Sequence, residues 1–235
     1  QPEEVRSILN YAHSQNIDLL DTAPAYGNSE KVLGVANVQN FKVVTKTRHF
    51  NNAKISNSDI GLLKKDFSCS LTDLRQESFY GVLVHNASDL LKSGAEKLYD
   101  HLQELKQAEK IEKIGVSVYD YSQLQSILDN FDIDLVQLPF NILDRRMIDS
   151  GMLSTLRSSN TEVHARSVFL QGLLLMSEQN RPDKFNRWSG LWKIWHEWLN
   201  DSQITALEAT IRYAISMPEI SKVLVGVDNK DQLKE

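Results

Sequence analysis

Short apolar runs alternate with longer amphipathic stretches along almost the whole chain. Seven runs read as buried strands: 17–21 (IDLLD), 42–46 (KVVTK), 79–85 (FYGVLVH), 111–118 (IEKIGVSV), 133–140 (IDLVQLPF), 162–168 (EVHARSV) and 222–227 (KVLVGV). Most are close to continuously apolar, the pattern of strands covered on both faces. Between them, apolar residues recur at helical spacing. Glu3–Ser14 places Val5, Ile8, Leu9 and Ala12 on one face, and Ala95–Glu109 does the same with Leu98, Leu102, Leu105 and Ala108. Tyr121–Asn130 uses Leu124, Ile127 and Leu128, and Ser202–Met217 repeats the theme ahead of Pro218. Such alternation predicts an α/β fold with a parallel sheet and helices outside it.

A closed (β/α)8 TIM barrel needs eight strands. Seven runs are visible and the chain opens on a helix, so the expectation is one barrel domain over 1–235 with its first strand upstream of Gln1. A doubly wound open sheet is the alternative; against it, no Gly-x-Gly-x-x-Gly follows any early strand. The longest connection, about 171–201, carries Trp188, Trp192, Trp195 and Trp198 at i, i+4, i+7 and i+10. That stripe is either core packing or an aromatic wall over the barrel mouth.

Composition narrows the function classes. With 235 residues and 41% hydrophobic content the chain can build one sizeable core. A net charge of −5, with basic residues interspersed among acidic ones, argues against a nucleic-acid surface. The one cysteine, Cys69, cannot form an internal disulfide, which fits a cytoplasmic protein. No apolar run reaches the roughly 18 residues of a membrane helix, and the opening residues lack a signal-peptide layout. His13, His49, His101, His164 and His196 show no metal-ligand spacing, so no metal is expected. Oligomeric state is not readable.

In a barrel, residues at the carboxyl ends of strands converge on one mouth. Asp21, Lys46 and His85 end the first three visible strands, Ser117 and Gln137 fall at or near the ends of the next two, and Tyr26 lies in the loop after Asp21. Each has a plain alternative: Asp21 as a partner of a nearby cation, Lys46 as a solvated terminus or a Schiff-base lysine, His85 as a core histidine, Tyr26 as loop packing. Together they suit carbonyl reduction. A tyrosine hydroxyl keeps its proton at neutral pH. A nearby ammonium stabilises the tyrosinate that forms, a carboxylate orients the ammonium, and an imidazole polarises the carbonyl oxygen.

The segment IDLLDTAPAYGNSEKVLG resembles the signature of the aldo-keto reductase family, with Asp-Thr-Ala, Tyr-Gly and Ser29-Glu30-x-x-x-Gly34 in place. VVTKT supplies the matching lysine and GVLVHNASD the matching histidine, while IGVSVYD, QLPFNILDRRM and VLVGVDNKDQLKE resemble later segments in family order. The resemblance implies an eight-stranded barrel, reversible reduction of aldehydes and ketones, and NADP(H) bound without a Rossmann domain, with NAD(H) as the alternative. It assigns Asp21, Tyr26, Lys46 and His85 to the catalytic tetrad and Ser117 and Gln137 to the nicotinamide carboxamide. Ser167, Leu170 and Gly172 fall where the family's pyrophosphate loop begins, and Gly226, Gln232 and Glu235 match the final loop and the helix at the adenine end.

Two positions depart from the pattern. Val118 stands where the family usually has Asn, and Asp228 where many relatives have an Arg facing a 2′-phosphate. A carboxylate at 228 repels a phosphate and suits a free ribose hydroxyl, which points toward NADH, unless Lys230 or Lys222 supplies the cation. Arg166, near the mouth, suits either an anionic ligand or a barrel carboxylate, and Asp144, Arg145 and Arg146 read as a surface turn. The expected partner is a small carbonyl compound, with no nucleic acid and no membrane. Two other functions use the same residues: a cofactor-sensing regulatory subunit, as potassium-channel beta subunits resemble this family, and an aldolase working through Lys46.

Overall fold

The computed structural model describes residues 2–235. The chain forms two compact units: one holds the chain up to Gln137 with Asn160–Glu162 and Gly226–Glu235, the other Leu138–Ser159 with Val163–Val225.

The first unit runs α1 (Pro2–Ser14), β1 (Leu19–Asp21), α2 (Ser29–Ala36), β2 (Lys42–Lys46), α3 (Asn57–Leu74), β3 (Phe79–Val84), a 3-10 turn (Ala87–Leu91), α4 (Ala95–Gln107), β4 (Ile111–Ser117), α5 (Tyr121–Leu128) and the start of β5 (Leu135–Pro139). A short C-terminal helix, Lys230–Lys234, belongs with it. Successive strands pair in parallel, with Asp21 beside Val44, Lys46 beside Leu83 and Ser117 beside Gln137. Val44, Leu83 and Leu135 form a fully buried layer against which Leu19 and Tyr80 pack. Side chains alternate faces along a strand, so residues two further on share the face of that layer. Those residues are Asp21, Lys46, His85 and Gln137. The polar site is therefore the next layer above an apolar floor.

The helices are set by local chemistry. Ser56 and Asp59 close a capping box on α3: the Ser56 hydroxyl accepts from Asp59 N, and the Asp59 carboxylate accepts from Ser56 N at 2.9 Å. Helix α2 meets the end of α3 so closely that a Cβ on Gly34 would lie 1.9 Å from the Asp73 carbonyl oxygen. At the amino end of the sheet, Tyr80 donates to Glu162 at 2.7 Å and Lys113 pairs with the same carboxylate. Burial, then the Glu162 bond, pushes the Tyr80 phenol above its ordinary range.

In the second unit, α6 (Arg146–Asp149) and α7 (Met152–Ser158) precede β6 (Glu162–Arg166), whose His164 and Ala165 pair with Lys222 and Val223 of β7. Between these strands lie three 3-10 turns, α8 (Ser189–Ser202) and α9 (Ala206–Ile215). The tryptophan stripe divides. Trp192 and Trp195 are buried with Leu173, Leu174, Leu199 and Ala209, whereas Trp188 and Trp198 are 40% and 44% exposed. Both buried indoles find carbonyls, Trp192 at Phe185 and Trp195 at Leu174, each at 3.2 Å.

Several expected boundaries shift, for visible reasons. The strand expected over 162–168 stops at Arg166 because Ser167 turns to φ 60°. The run 222–227 keeps only Lys222–Val223 as strand; Leu224 N still donates to Ala165 O at 2.8 Å. The helix expected from Ser202 starts at Ala206, because Gln203 at φ 54° ends α8 and Thr205 caps α9. Helix α3, the longest at 18 residues, is not among the stretches picked out by periodicity. No helix of the described residues is long and apolar enough to cross a membrane.

Candidate active site

The site is built on an ion pair. Lys46 is 3% exposed, and its Nζ donates to Asp21 Oδ2 at 2.6 Å and to the Thr22 carbonyl at 3.0 Å. The other Asp21 oxygen accepts from Gln137 Nε2 at 2.7 Å. An ammonium taken out of water needs such partners to stay charged. Tyr26 hangs over this pair from the turn after β1. Its N donates to Ala23 O at 2.9 Å, Ser29 N donates back to Tyr26 O at 3.2 Å, and Gly27 supplies the φ of 63° that the turn requires. Lys46 Nζ lies 4.9 Å from the centre of the Tyr26 ring, which is 47% exposed. His85 stands edge-on to Tyr26 with centroids 5.9 Å apart.

Two residues without a sequence assignment support this group. Glu30, in the middle of the Ser-Glu-x-x-x-Gly segment, is a buried carboxylate. It accepts from Thr45 Oγ1 at 2.7 Å and from Ser70 Oγ at 2.8 Å. Thr45 precedes Lys46, so Glu30 ties the lysine's strand to α2 and α3. His49, which lacks metal-ligand spacing, meets the His85 ring edge-on with centroids 4.4 Å apart. The available signal was its position, three residues past Lys46 at the same strand end. The loop carrying His49 is latched: Lys92 donates to both Asp89 and the Phe50 carbonyl, and fully buried Asp89 accepts from Phe50 N at 3.3 Å. Gly94, at φ 82°, sits where a Cβ would be 2.3 Å from the Ile55 carbonyl oxygen.

The residues expected to hold a cofactor fall in three places. Ser117 and Gln137 are neighbours in register, 5% and 2% exposed. With Gln137 Nε2 given to Asp21, its Oε1 and the Ser117 hydroxyl are the groups that suit a carboxamide. Val118 is fully buried and presents hydrocarbon. In the second unit, Ser167, Leu170, Gln171 and Gly172 take φ of 60°, 49°, 55° and 84°, and only the glycine does so without strain. Gly226 and Asp228 are exposed; Asp228 N donates to Gln232 Oε1 at 2.7 Å, and Glu235 is exposed at the end of that segment. Lys230 is engaged with α1, its N bonded to Glu4 at 3.0 Å and its Nζ 5.6 Å from the Tyr11 ring centre. Arg166 donates to Ser167 Oγ at 3.3 Å. Asp144 holds Arg146 through both oxygens, and those bonds keep its carboxyl below the usual range. Among the described residues, no cluster of three or more His, Cys, Asp or Glu side chains is placed to hold a metal.

A phenol beside a buried, oriented ammonium and an imidazole is equipped to give up a proton and to stabilise the oxyanion left behind. The model of the aldo/keto reductase family matches residues 1–235. The chain belongs to the aldo/keto reductase family. This family member is 31% identical over 165 residues to an aldo-keto reductase of Bacillus subtilis, covering 63% of the chain and 46% of that protein. It is 28% identical over 183 residues to an NADH-specific methylglyoxal reductase of Escherichia coli, covering 69% and 56%. The matched stretches thus span about half the length of these relatives. Among solved structures, a glycerol dehydrogenase from Gluconobacter oxydans matches with TM-score 0.76 at 20% identity, over 98% of this chain and 78% of that one. The holo form of an aldo-keto reductase from Bacillus halodurans matches with TM-score 0.76 at 20% identity, over 100% and 80%. At that identity the likeness shows the fold, the α/β barrel of aldo-keto reductases.

Proposed function

We propose that the chain reduces a small aldehyde or ketone to an alcohol, with Tyr26 protonating the carbonyl oxygen. The observation that carries this is the Lys46 ammonium, fixed by Asp21 at 2.6 Å and lying 4.9 Å from the centre of the Tyr26 ring. As negative charge develops on the phenolic oxygen, this cation is already oriented and desolvated. His85, edge-on to the ring, would donate to the substrate oxygen. A nicotinamide cofactor, when bound, supplies the hydride. Ser117 and Gln137 would hold its carboxamide. The methylglyoxal activity named for the Escherichia coli relative supports a short carbonyl substrate.

For the adenine end we infer NADH at least as readily as NADPH. Asp228 is an exposed carboxylate at the position where the resemblance implies a cation for a 2′-phosphate, and Lys230 is engaged with α1. The relative named as NADH-specific supports the same reading. Oxidation of NADH and NADPH against a panel of aldehydes, for wild type and Tyr26→Phe, tests both points. Tyr26→Phe is expected to lose at least ~100-fold in turnover, and an unchanged rate refutes the assignment of the acid. Preference for NADPH by more than about tenfold in binding, ~1.4 kcal/mol, overturns the Asp228 reading.

A further inference from the structure

Arg181, in the turn-rich segment between β6 and α8, is buried at 8% exposure. Its guanidinium lies on the face of Trp192, 4.4 Å from the ring centre. Nη2 donates to His196 Nε2 at 2.7 Å and to the Met176 carbonyl at 3.4 Å. Arginine has no acceptor, so His196 accepts through Nε2 and brings no negative charge. Nε is buried with no hydrogen-bond partner. No carboxylate pairs with this cation among the described residues.

Such an arrangement is costly unless something else answers the charge. A guanidinium keeps its proton at any working pH, and a buried charge ordinarily comes with a counter-ion. The neighbourhood offers more of the same sign. Lys184 lies 5.1 Å from the Phe185 ring centre and Arg187 3.8 Å from that of Trp188. Three cations within seven positions thus sit on three aromatic faces, none of them ion-paired among the described residues. Stacking holds a guanidinium plane in place without using its edge donors, and in Arg181 Nη1 is the donor that neither a partner among the described residues nor burial takes. The platform is itself fixed, since Trp192 donates to the Phe185 carbonyl at 3.2 Å.

We propose that Arg181, stacked on Trp192 and steadied by His196, is an oxyanion-binding site with Lys184 and Arg187 as its basic surroundings, and that it takes a phosphate group. The phosphate belongs either to the nicotinamide cofactor or to a phosphorylated or free anionic ligand. The test titrates inorganic phosphate at constant ionic strength, with sodium chloride as the balancing salt. Tryptophan fluorescence and Tm are followed for wild type, Arg181→Met and Arg181→Lys. Wild type is expected to show a saturable fluorescence change and a rise in Tm that chloride does not reproduce. Arg181→Met is expected to weaken phosphate binding at least about tenfold. If that variant does not fold, Arg181→Lys carries the test, with an expected weakening of about threefold or more from the loss of the planar fork. The proposal falls if chloride gives the same response, or if the phosphate titration is unchanged in the substituted protein. Repeating the titration with saturating NADPH separates the two sources. Loss of the phosphate response assigns the site to the cofactor, and its persistence to another anion; either upholds the site.

Discussion

Asp21→Asn should harm this protein in two separable ways, and stability is the sharper one. The wild-type pair is 2.6 Å apart with Lys46 buried and the Asp21 side chain 19% exposed. At an effective dielectric constant near 20 the direct attraction is about 6 kcal/mol, most of it offset by desolvation of the two charges. Removing the carboxylate leaves the desolvation in place and removes the attraction, so Lys46 keeps the Thr22 carbonyl and the face of the Tyr26 ring but no counter-charge. Unpaired buried charges cost about 3–5 kcal/mol; the partial exposure of Asp21 points to about 3 kcal/mol. That is a fall of roughly 6–12 °C in Tm for a chain of this size. Lys46→Met leaves Asp21 with water and Gln137, at about 1 kcal/mol. The double variant Asp21→Asn with Lys46→Met should recover most of what Asp21→Asn loses. Urea denaturation followed by circular dichroism reads all four proteins. The reasoning is refuted if Asp21→Asn loses less than ~1 kcal/mol, or if the double variant is as unstable as the sum of the single ones.

Gly34→Ala must push α2 away from the Asp73 carbonyl and should destabilise by about 1–3 kcal/mol, whereas Gly190→Ala, with nothing within 4 Å of the new Cβ on α8, should be neutral or stabilising by up to about 1 kcal/mol; urea midpoints compare them. The Ser56 hydroxyl and then the Ser56 backbone hold the Asp59 carboxyl below its ordinary range. Its folded pKa lies under the unfolded one, so its contribution is complete above the unfolded carboxylate value of about 4 and fades as pH falls through the folded value. Ser56→Ala should cost about 1 kcal/mol at pH 7 and flatten part of the acid limb of a stability-against-pH curve. An acid limb as steep as that of wild type would count against the capping box as its source.

Much of the frame was legible because the relevant signals are local. Lys42–Lys46 is a strand at the bounds its composition predicts, and Asp21, Lys46 and Gln137 meet because strand ends in a parallel sheet converge. His49 and Glu30 were not legible as site supports. The edge-on contact of His49 with His85 depends on a loop held by Lys92 and Asp89, whose partners lie about forty positions away. Glu30 stands in the family signature, but its burial against Thr45 and Ser70 appears only once α3 is in place. The ends of β6 and β7 escaped for a different reason: apolar composition continues beyond Arg166 and Val223, and only backbone geometry at Ser167 reveals that pairing has stopped. Arg181 carries no sequence signal at all, since an arginine in a polar turn reads as solvated.

The bonds around Lys46 also differ in how much chain each must close. Glu30 reaches Thr45 across 15 positions, Asp21 reaches Lys46 across 25 and Glu30 reaches Ser70 across 40, whereas the Gln137 bond to Asp21 spans 116. Loop closure becomes less favourable as the loop lengthens, and synthesis delivers the amino-terminal side first. The lysine and its counter-charge therefore lie within one short segment that is synthesised before β5. Gln137 is made last of the three, and its amide takes the remaining oxygen of Asp21.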